Sequence, residues 1–480
     1  MNKKKLICGL GLLAIFQIGK AQTTQFYPND VSDLLNLYGD QSSSSGTARS
    51  IGMGGSMGAL GGDISAVETN PAGLGIFRNS EASLTMSVSS HKNKASMGSA
   101  SNSTTNTNFN IPGVGFVLAL GQESQPLRVN LGVNYSYQRL DNDVYFGKNK
   151  NLSYLYPGAN GDMQSYSMEN YDLYTNGYKS KMKFSLGTNY MDRFYFGVGL
   201  DWQYLNVDRN STYAQRSSVD GEYMPFNEQL TPYNQEANGF GLSVGVIGKV
   251  TPEIRLGIAY HSPVWWSNIN DYRWIYNFDE SNNVIGNYVY YDRNKNTTAG
   301  KLVLSGAYAS NIINDDNSLA FNVDFLNYFN NNMNFGGGDI DYRLNNNFIN
   351  LYTKNSQEYR AGLEYRYKEL KLRAGYSYMT SPVKDKTIAG SFDLNSDPVY
   401  VKNYLAGAKN KFSLGVGYDM GPFFADFAYQ YIKSDYYTSL SGDFFNPSQN
   451  TNVNFSLENP ILGKVQYTQN NFVLTLGMRF

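Results

Sequence analysis

The chain has 480 residues, a formal net charge of −1 and one cysteine. Charged residues make up only 16 % and aromatics 15 %, led by 40 tyrosines; soluble domains usually carry about 25 % charged residues. This balance gives no basic surface for nucleic acid, and a mean hydropathy of −0.43 excludes a bundle of apolar helices. Length alone allows two or three domains, but low charge with abundant Tyr, Gly and Asn points to a transmembrane β-barrel, apolar towards lipid and polar in its lumen.

Residues 1–21 read as a secretory signal. Lys3, Lys4 and Lys5 form the positive region and Leu6 to Ile18 the apolar core. Gly19-Lys20-Ala21 offers small residues for cleavage before Gln22, and the apolar stretch is too short to span a membrane as a helix. Cys8 lies inside that core. The processed chain therefore has no thiol for a disulfide or for catalysis.

Residues 22–79 are expected to form a plug, or hatch. Val31, Leu34, Leu35 and Tyr38 recur at helical spacing in a short amphipathic segment with Asp30 or Ser32 as cap. Ser42 to Ser45 reads as a hinge. The next stretch, 46–79, is rich in glycine (Gly52, Gly54, Gly55, Gly58, Gly61, Gly62) and nearly uncharged. Glycines there permit positive φ and close backbone approach to a wall, and Asn70-Pro71-Ala72-Gly73 is turn chemistry. The stretch has no Gly-Lys-Ser/Thr, and Gly52-Met53-Gly54-Gly55-Ser56-Met57 lacks the last glycine of a dinucleotide fingerprint. A solvated linker would not carry Ile51, Met53, Met57, Leu60, Ile64, Val67, Leu74, Ile76 and Phe77.

From residue 80 to 480 the hydropathy alternates with period two. Fourteen spanning segments are predicted, near 81–90, 112–121, 128–140, 180–190, 194–207, 238–250, 253–262, 299–309, 318–328, 357–367, 370–380, 410–418, 423–433 and 470–480. The connections sort by parity. Those at 122–127, 191–193, 251–252, 310–317, 368–369 and 419–422 are short, and the others are long and rich in Asn, Asp and Tyr. This is the arrangement of an outer-membrane barrel, an antiparallel all-β fold. Phe194, Phe423 and Phe480 then fall at the inner interface, and Trp202, Tyr204, Tyr376, Tyr378, Tyr429 and Tyr431 at the outer one, as two aromatic girdles. The last strand puts Phe472, Leu474, Leu476, Met478 and Phe480 on one face. A terminal aromatic there resembles the signal read by the barrel-assembly machinery.

A secreted chain with an N-terminal plug, Asn70-Pro71-Ala72-Gly73-Leu74 just before the first strand, and fourteen strands resembles the FadL-type long-chain fatty-acid transporter family. Further echoes are Tyr260-His261-Ser262-Pro263, Ala361-Gly362-Leu363-Glu364-Tyr365 and Leu372-Arg373-Ala374-Gly375-Tyr376-Ser377-Tyr378. The resemblance covers nearly all of the processed chain, while the long loops depart from smaller family members. It implies a multi-pass protein of the bacterial outer membrane for passive uptake of hydrophobic small molecules, fatty acids first. Ligand would be captured by the outer loops, pass to a pocket beside the plug, and leave sideways into membrane lipid through a gap in the wall. Candidates for that gap are Pro112, which lacks an N–H, with Gly113, Gly115 and Gly132; the glycines would equally serve to relieve packing against the plug.

Alternation places Arg128, Glu253, Arg255, Asp324, Arg360, Glu364, Arg366, Lys371, Arg373, Asp426 and Arg479 towards the lumen. Arg360, Glu364, Arg366 and Arg373 share a hairpin, where an arginine would grip a ligand carboxylate. The competing reading has them paired with each other and with the plug, the usual state of interior charges. Apolar ligand contacts are expected from Phe424, Val117, Val303, Ile247, Leu74, Ile76 and Phe77. Only His91 and His261 are present, and their strand positions keep them from converging on a triad or metal site. No enzyme activity and no cofactor is expected. A lone histidine on haem, or Ca²⁺ at Asp141-Asn142-Asp143 or Asp339-Ile340-Asp341, is a weaker reading. The rival from another class is a barrel of this fold that docks a protein partner, or assists secretion, through its long loops.

Overall fold

The structure, a computed structural model, describes residues 28–39, 46–97, 100–121, 125–157, 163–217, 219, 221, 223–226, 233–278, 284–311, 316–337, 342–388, 399–439 and 462–480. The expected signal segment 1–21 and the Ser42–Ser45 hinge lie outside these residues. Among them no helix is long and apolar enough to cross a membrane; the crossing is made by strands.

A short helix α1 (Pro28–Asp33) runs on as a π-helical turn over Leu34–Tyr38. Then come α2 (Ala48–Gly52) and two 3₁₀ turns, Ile64–Glu68 and Pro71–Ile76. The wall follows as a closed ring of fourteen antiparallel strands. They are β1 (Glu81–Met97), β2 (Ala100–Leu120), β3 (Leu127–Arg139), β4 (Met163–Tyr190), β5 (Phe194–Ser217), β6 (Tyr233–Lys249) and β7 (Ile254–His261), then β8 (Lys301–Asn311), β9 (Asn317–Tyr328), β10 (Ser356–Tyr367), β11 (Leu370–Met379), β12 (Lys409–Met420), β13 (Phe423–Ser439) and β14 (Leu462–Arg479). The ring shuts where β1 meets β14, from Glu81 opposite Arg479 to Ser96 opposite Lys464. The Phe480 amide adds a bond to the Ser80 carbonyl, 3.0 Å.

The strands form because the side chains alternate. On β5, Phe196, Val198, Leu200 and Trp202 are 44–51 % exposed on the outside, while Asp201 and Gln203 between them are buried inside. An exposed apolar row suits lipid, not water. The predicted strands are all present, and most are longer than the periodicity suggested. The 140–179 stretch, expected as a loop, is largely sheet: Asn142–Tyr145 continues β3 in register against β4, and Asn149–Pro157 also pairs with β4. Beyond β7 the chain breaks at Ser262-Pro263-Val264 and resumes as Trp265–Phe278, paired with β6 and with Val284–Thr297. Alternation weakens above the membrane because no lipid face enforces it.

The plug fits because the wall carries glycine where the two backbones come closest. A Cβ on Gly375 would stand 2.1 Å from the Gly54 amide nitrogen, and one on Gly197 2.2 Å from that of Ala72. Gly54, Gly55, Gly61 and Gly62 take positive φ, between 60° and 76°, as the close-packed turns of the plug require. Outside the wall over β4–β7, an apolar hollow of about 460 Å³ among Leu186, Phe196, Val198 and Val244 faces the membrane. Gly375→Val is expected to unseat the plug at a cost of about 3 kcal/mol or more, as overpacking does, with the barrel still closed. Faster limited proteolysis within 46–79, with unchanged sheet content by circular dichroism, checks this.

Candidate functional site

Three short turns of the plug begin on a side-chain cap. Thr47 accepts from Ser50 N, Asp63 from Ser65 N and Asn70 from Ala72 N. Asn70 is fully buried and has a double role. Its Oδ1 holds the Ala72 amide at 3.0 Å, and its Nδ2 donates to the Gly58 carbonyl at 2.9 Å and to Val246 O of the wall at 3.3 Å. Pro71 fits the first position of the turn, where no N–H is needed. Gly73 lies against Gly61. The Asn-Pro-Ala element thus clamps two plug turns to each other and to β6.

The lumenal charges predicted from alternation are largely paired. Arg373 donates to Glu364 and to Asp426, each at 2.6 Å, and Glu364 also takes Arg49 of the plug in a two-pronged grip at 3.0 and 3.1 Å. Arg360 reaches Glu358 at 2.7 Å and the Gly55 carbonyl at 3.1 Å. Arg255 donates to Leu60 O, and Asp324 accepts from the amides of Met57 and Gly58. These groups hold the plug. Arg366 stands apart at the exposed β10–β11 turn, bonded to Lys368 O. Phe424 lies under the Arg479 guanidinium, 4.7 Å from ring centroid to carbon, and packs on Gly477. Leu74 and Phe77 are packed with Ile64, Val67 and Val117, and Ile76 lies against Ala72, Tyr195 and Ile247. His261 meets the Thr69 carbonyl at 3.0 Å, whereas His91 stacks on Tyr467.

The four wall-gap candidates divide into two kinds. A Cβ on Gly115 would strike Ile64 at 2.5 Å and one on Gly132 would strike Leu74 at 2.9 Å, so both are seats for the plug. Pro112 and Gly113 mark a break in pairing. The β2–β3 ladder runs from Leu120↔Val129 to Gly113↔Ser136, and the β2 residues beyond it are paired with β1. The β1–β2 register slips between Thr85 and Ser87, opposite the Pro112 bulge. Higher up, Asn102 reaches Phe146 O at 2.6 Å and Thr104 reaches Asp143 O, rejoining the edges. Behind the break lies a crevice of about 10 Å³ between plug residues Ile64, Ser65 and Glu68 and wall residues Gly113, Tyr135 and Ser136, room for about one water.

A packed apolar cluster lies at the outer mouth, and sequence reasoning missed it. Val31, Leu34, Leu35 and Tyr38 pack there among Leu205, Val207, Trp266 and Ile269 of the wall. A lid of outer connections adds Phe335, Tyr404, Leu405 and the helix α3 (Arg343–Tyr352) through Phe348, Ile349 and Tyr352. Tyr38 meets Trp266 edge-on at 5.1 Å and bonds Gln235 at 2.7 Å. Spacing of Phe348, Ile349 and Tyr352 was the legible sign of α3. Also missed were Lys179, Lys181 and Lys183, alternate residues on the lumen face of β4. Lys183 pairs with Asp201 at 2.8 Å, Lys181 with Glu68 of the plug at 2.6 Å, and Lys179 with carbonyls of the α1 extension.

A closed fourteen-stranded barrel with lipid-facing walls and an internal N-terminal plug is an outer-membrane-type β-barrel of the plugged class. Its fold is that of solved FadL-type transporters. The Pseudomonas putida toluene transporter TodX aligns at 16 % identity and TM-score 0.51, over 90 % of this chain and 98 % of that one. The Ralstonia pickettii toluene transporter TbuX aligns at 17 % and 0.51, over 90 % and 98 %. A Pseudomonas aeruginosa FadL homologue aligns at 15 % and 0.53, over 91 % and 99 %. No family model and no curated protein matches the sequence.

Arg373→Met leaves Asp426 buried without its guanidinium, and is expected to destabilise the protein by about 3 kcal/mol. Adding Asp426→Leu should recover most of the loss. Urea unfolding in detergent, followed by tryptophan emission, measures both.

Proposed function

We propose that this protein is an outer-membrane channel for passive uptake of hydrophobic small molecules, with long-chain fatty acids as the first candidate. The observation that carries the reading is the apolar cluster packed at the outer mouth, side chains a water-filled pore has no use for. In this reading the route inward runs from that apolar cluster past the plug to the break between β2 and β3, and from there into membrane lipid. Pro112 and Gly113 sit at the exit, and Gly115 and Gly132 hold the plug beside it. The transporters with this fold carry the same expectation of a hydrophobic cargo. Arg360, Glu364 and Arg373 serve in this reading as plug anchors, with the ligand passing above them. The barrel-assembly machinery would read the C-terminal strand ending in Phe480.

A second reading, a docking barrel, draws on the β4–β5 hairpin. Its pairing extends from Tyr190↔Phe194 out to Tyr166↔Ser217, well past the girdle residue Trp202, as a surface for a protein partner.

Displacement of radiolabelled oleate from the purified barrel by cold oleate is the expected result, and its complete absence favours docking. Gly113 has room for a side chain, with the nearest neighbours of a Cβ at 3.6 and 3.9 Å. Gly113→Phe is therefore expected to block the exit, lowering oleate uptake by cells while binding to the purified protein stays intact. Unchanged uptake would move the exit elsewhere.

A further inference from the structure

The outside of the barrel is not uniform beyond its apolar band. Around the closing seam, register sets the outward-facing residues of β2, β1, β14 and β13 in rows across the strands. The last apolar row holds Phe109, Val88, Phe472 and Tyr429. One repeat outward stand Thr107, Ser90, Asn470 and the girdle residue Tyr431. The next row is Thr105, Lys92, Thr468 and Lys433, and beyond it come Ser103, Lys94, Gln466 and Asp435. Each repeat is about 6–7 Å along a strand, and neighbouring strands are about 4.8 Å apart. Three lysines on three strands are therefore gathered just past the girdle.

Lys92, Lys94 and Lys433 are exposed on the same side of their strands as Val88 and Phe427. Among the described residues none of the three has an ion pair; Asp435, the one acid in these rows, lies 3.7 Å from Lys464. The girdle phenols do not reach the lysines either, since Tyr429 donates to Asn470 and Tyr376 to Asn410, each at 2.8 Å. The far wall is of opposite sign. Past Trp202, the outward positions of β5 and β6 include Asp208 and Glu236, which accept from Asn234 at 2.7 Å and Asn206 at 3.3 Å. A surface made only to meet water would intersperse the two signs. Here cations and hydroxyls collect on one side, at the height where aromatic girdles place the lipid head groups.

We propose that this face is a seat for a phosphorylated glycolipid of the outer leaflet. Its acyl chains lie on the row of Phe109, Val88 and Phe472. Lys92, Lys94 and Lys433 hold its phosphates as point charges, and Thr105 and Thr468 donate to phosphate or sugar oxygens. The seat straddles β1, β14 and β13, so the bound lipid ties together the two sides of the seam that closes the barrel. It shares the membrane orientation of the uptake reading and does not depend on what passes through the lumen.

The test mixes the full chain, purified in a non-ionic detergent, with radiolabelled diphosphoryl lipid A or with fully dephosphorylated lipid A, and counts the label retained by the protein. The diphosphoryl form is expected to bind at least about tenfold more tightly, and to weaken as salt rises from about 0.1 M to about 1 M. Lys92→Gln, Lys94→Gln and Lys433→Gln together should lower its affinity about a hundredfold, roughly fivefold for each lysine near a charged membrane surface, with the dephosphorylated form unaffected. Arg193→Gln with Lys368→Gln, at exposed inner turns, should change neither. Diphosphoryl lipid A should also raise the melting temperature of the native barrel and leave that of the triple variant unmoved. Equal affinity for the two lipids, or a loss in the inner-turn variant as large as in the triple one, would overturn the proposal. Unchanged affinity in the triple variant would overturn it too, and leave the lysines to an acidic protein partner. Should the triple variant fail to assemble, Lys433→Gln alone, about fivefold weaker, decides.

Discussion

Lipid offers no partner for a backbone N–H or carbonyl, so a sheet that spans a membrane has to consume its own edges. Here the whole structure hangs on the seam between β1 and β14. Glu81 and Arg479 face each other at its inner end, joined by an ion pair at 3.3 Å. Once that seam is shut, the alternating side chains have fixed destinations: large apolar groups go to the membrane, and small or polar groups face a confined space. The confined space is then filled from the N-terminal side of the same chain.

Filling it sets a second constraint. The plug buries apolar side chains such as Met53, Met57, Ile64 and Leu74, and it is also held by polar contacts distributed around the wall. Asn130 takes two plug carbonyls, Leu74 O and Phe77 O, Thr475 takes the Ala48 amide, and Asn322 binds Ser56 and Ala59. Glu364 gathers Arg49 from the plug and Arg373 from the wall into one cluster. Many of the charges inside this barrel are thus committed to holding the plug, and the largest apolar cluster packs around the N-terminal helix.

The barrel was legible because a spanning strand must repeat the same two-residue alternation, and segments such as Val129 to Tyr137 do so without interruption. The plug was legible from glycines and from the Asn-Pro-Ala turn, whose chemistry is local. The apolar cluster at the outer mouth was not. Its side chains come from residues just past the girdle, such as Leu205 and Trp266, and from connections 100–200 residues apart in sequence, where no local period survives. The lysines of β4 escaped for a related reason: Lys179 lies just beyond the segment that alternation defined, and Lys181 and Lys183 read as ordinary polar positions without the partners that give them meaning. Hairpin arginines drew attention because they cluster along the chain, yet their roles depend on groups far away in sequence, such as the Gly55 carbonyl of the plug and Asp426 of β13.

The glycine seats have a mechanical consequence. Where wall and plug backbones approach as closely as at Gly375 and Gly54, or at Gly197 and Ala72, the stopper is keyed into its housing like a tongue in a groove. Such a piece neither turns nor slides without parting strands and breaking a dozen polar contacts together. Under the proposed uptake role, a cargo would have to go around a stationary obstacle, and a detour at that height would lead towards the side of the barrel and not to its far end.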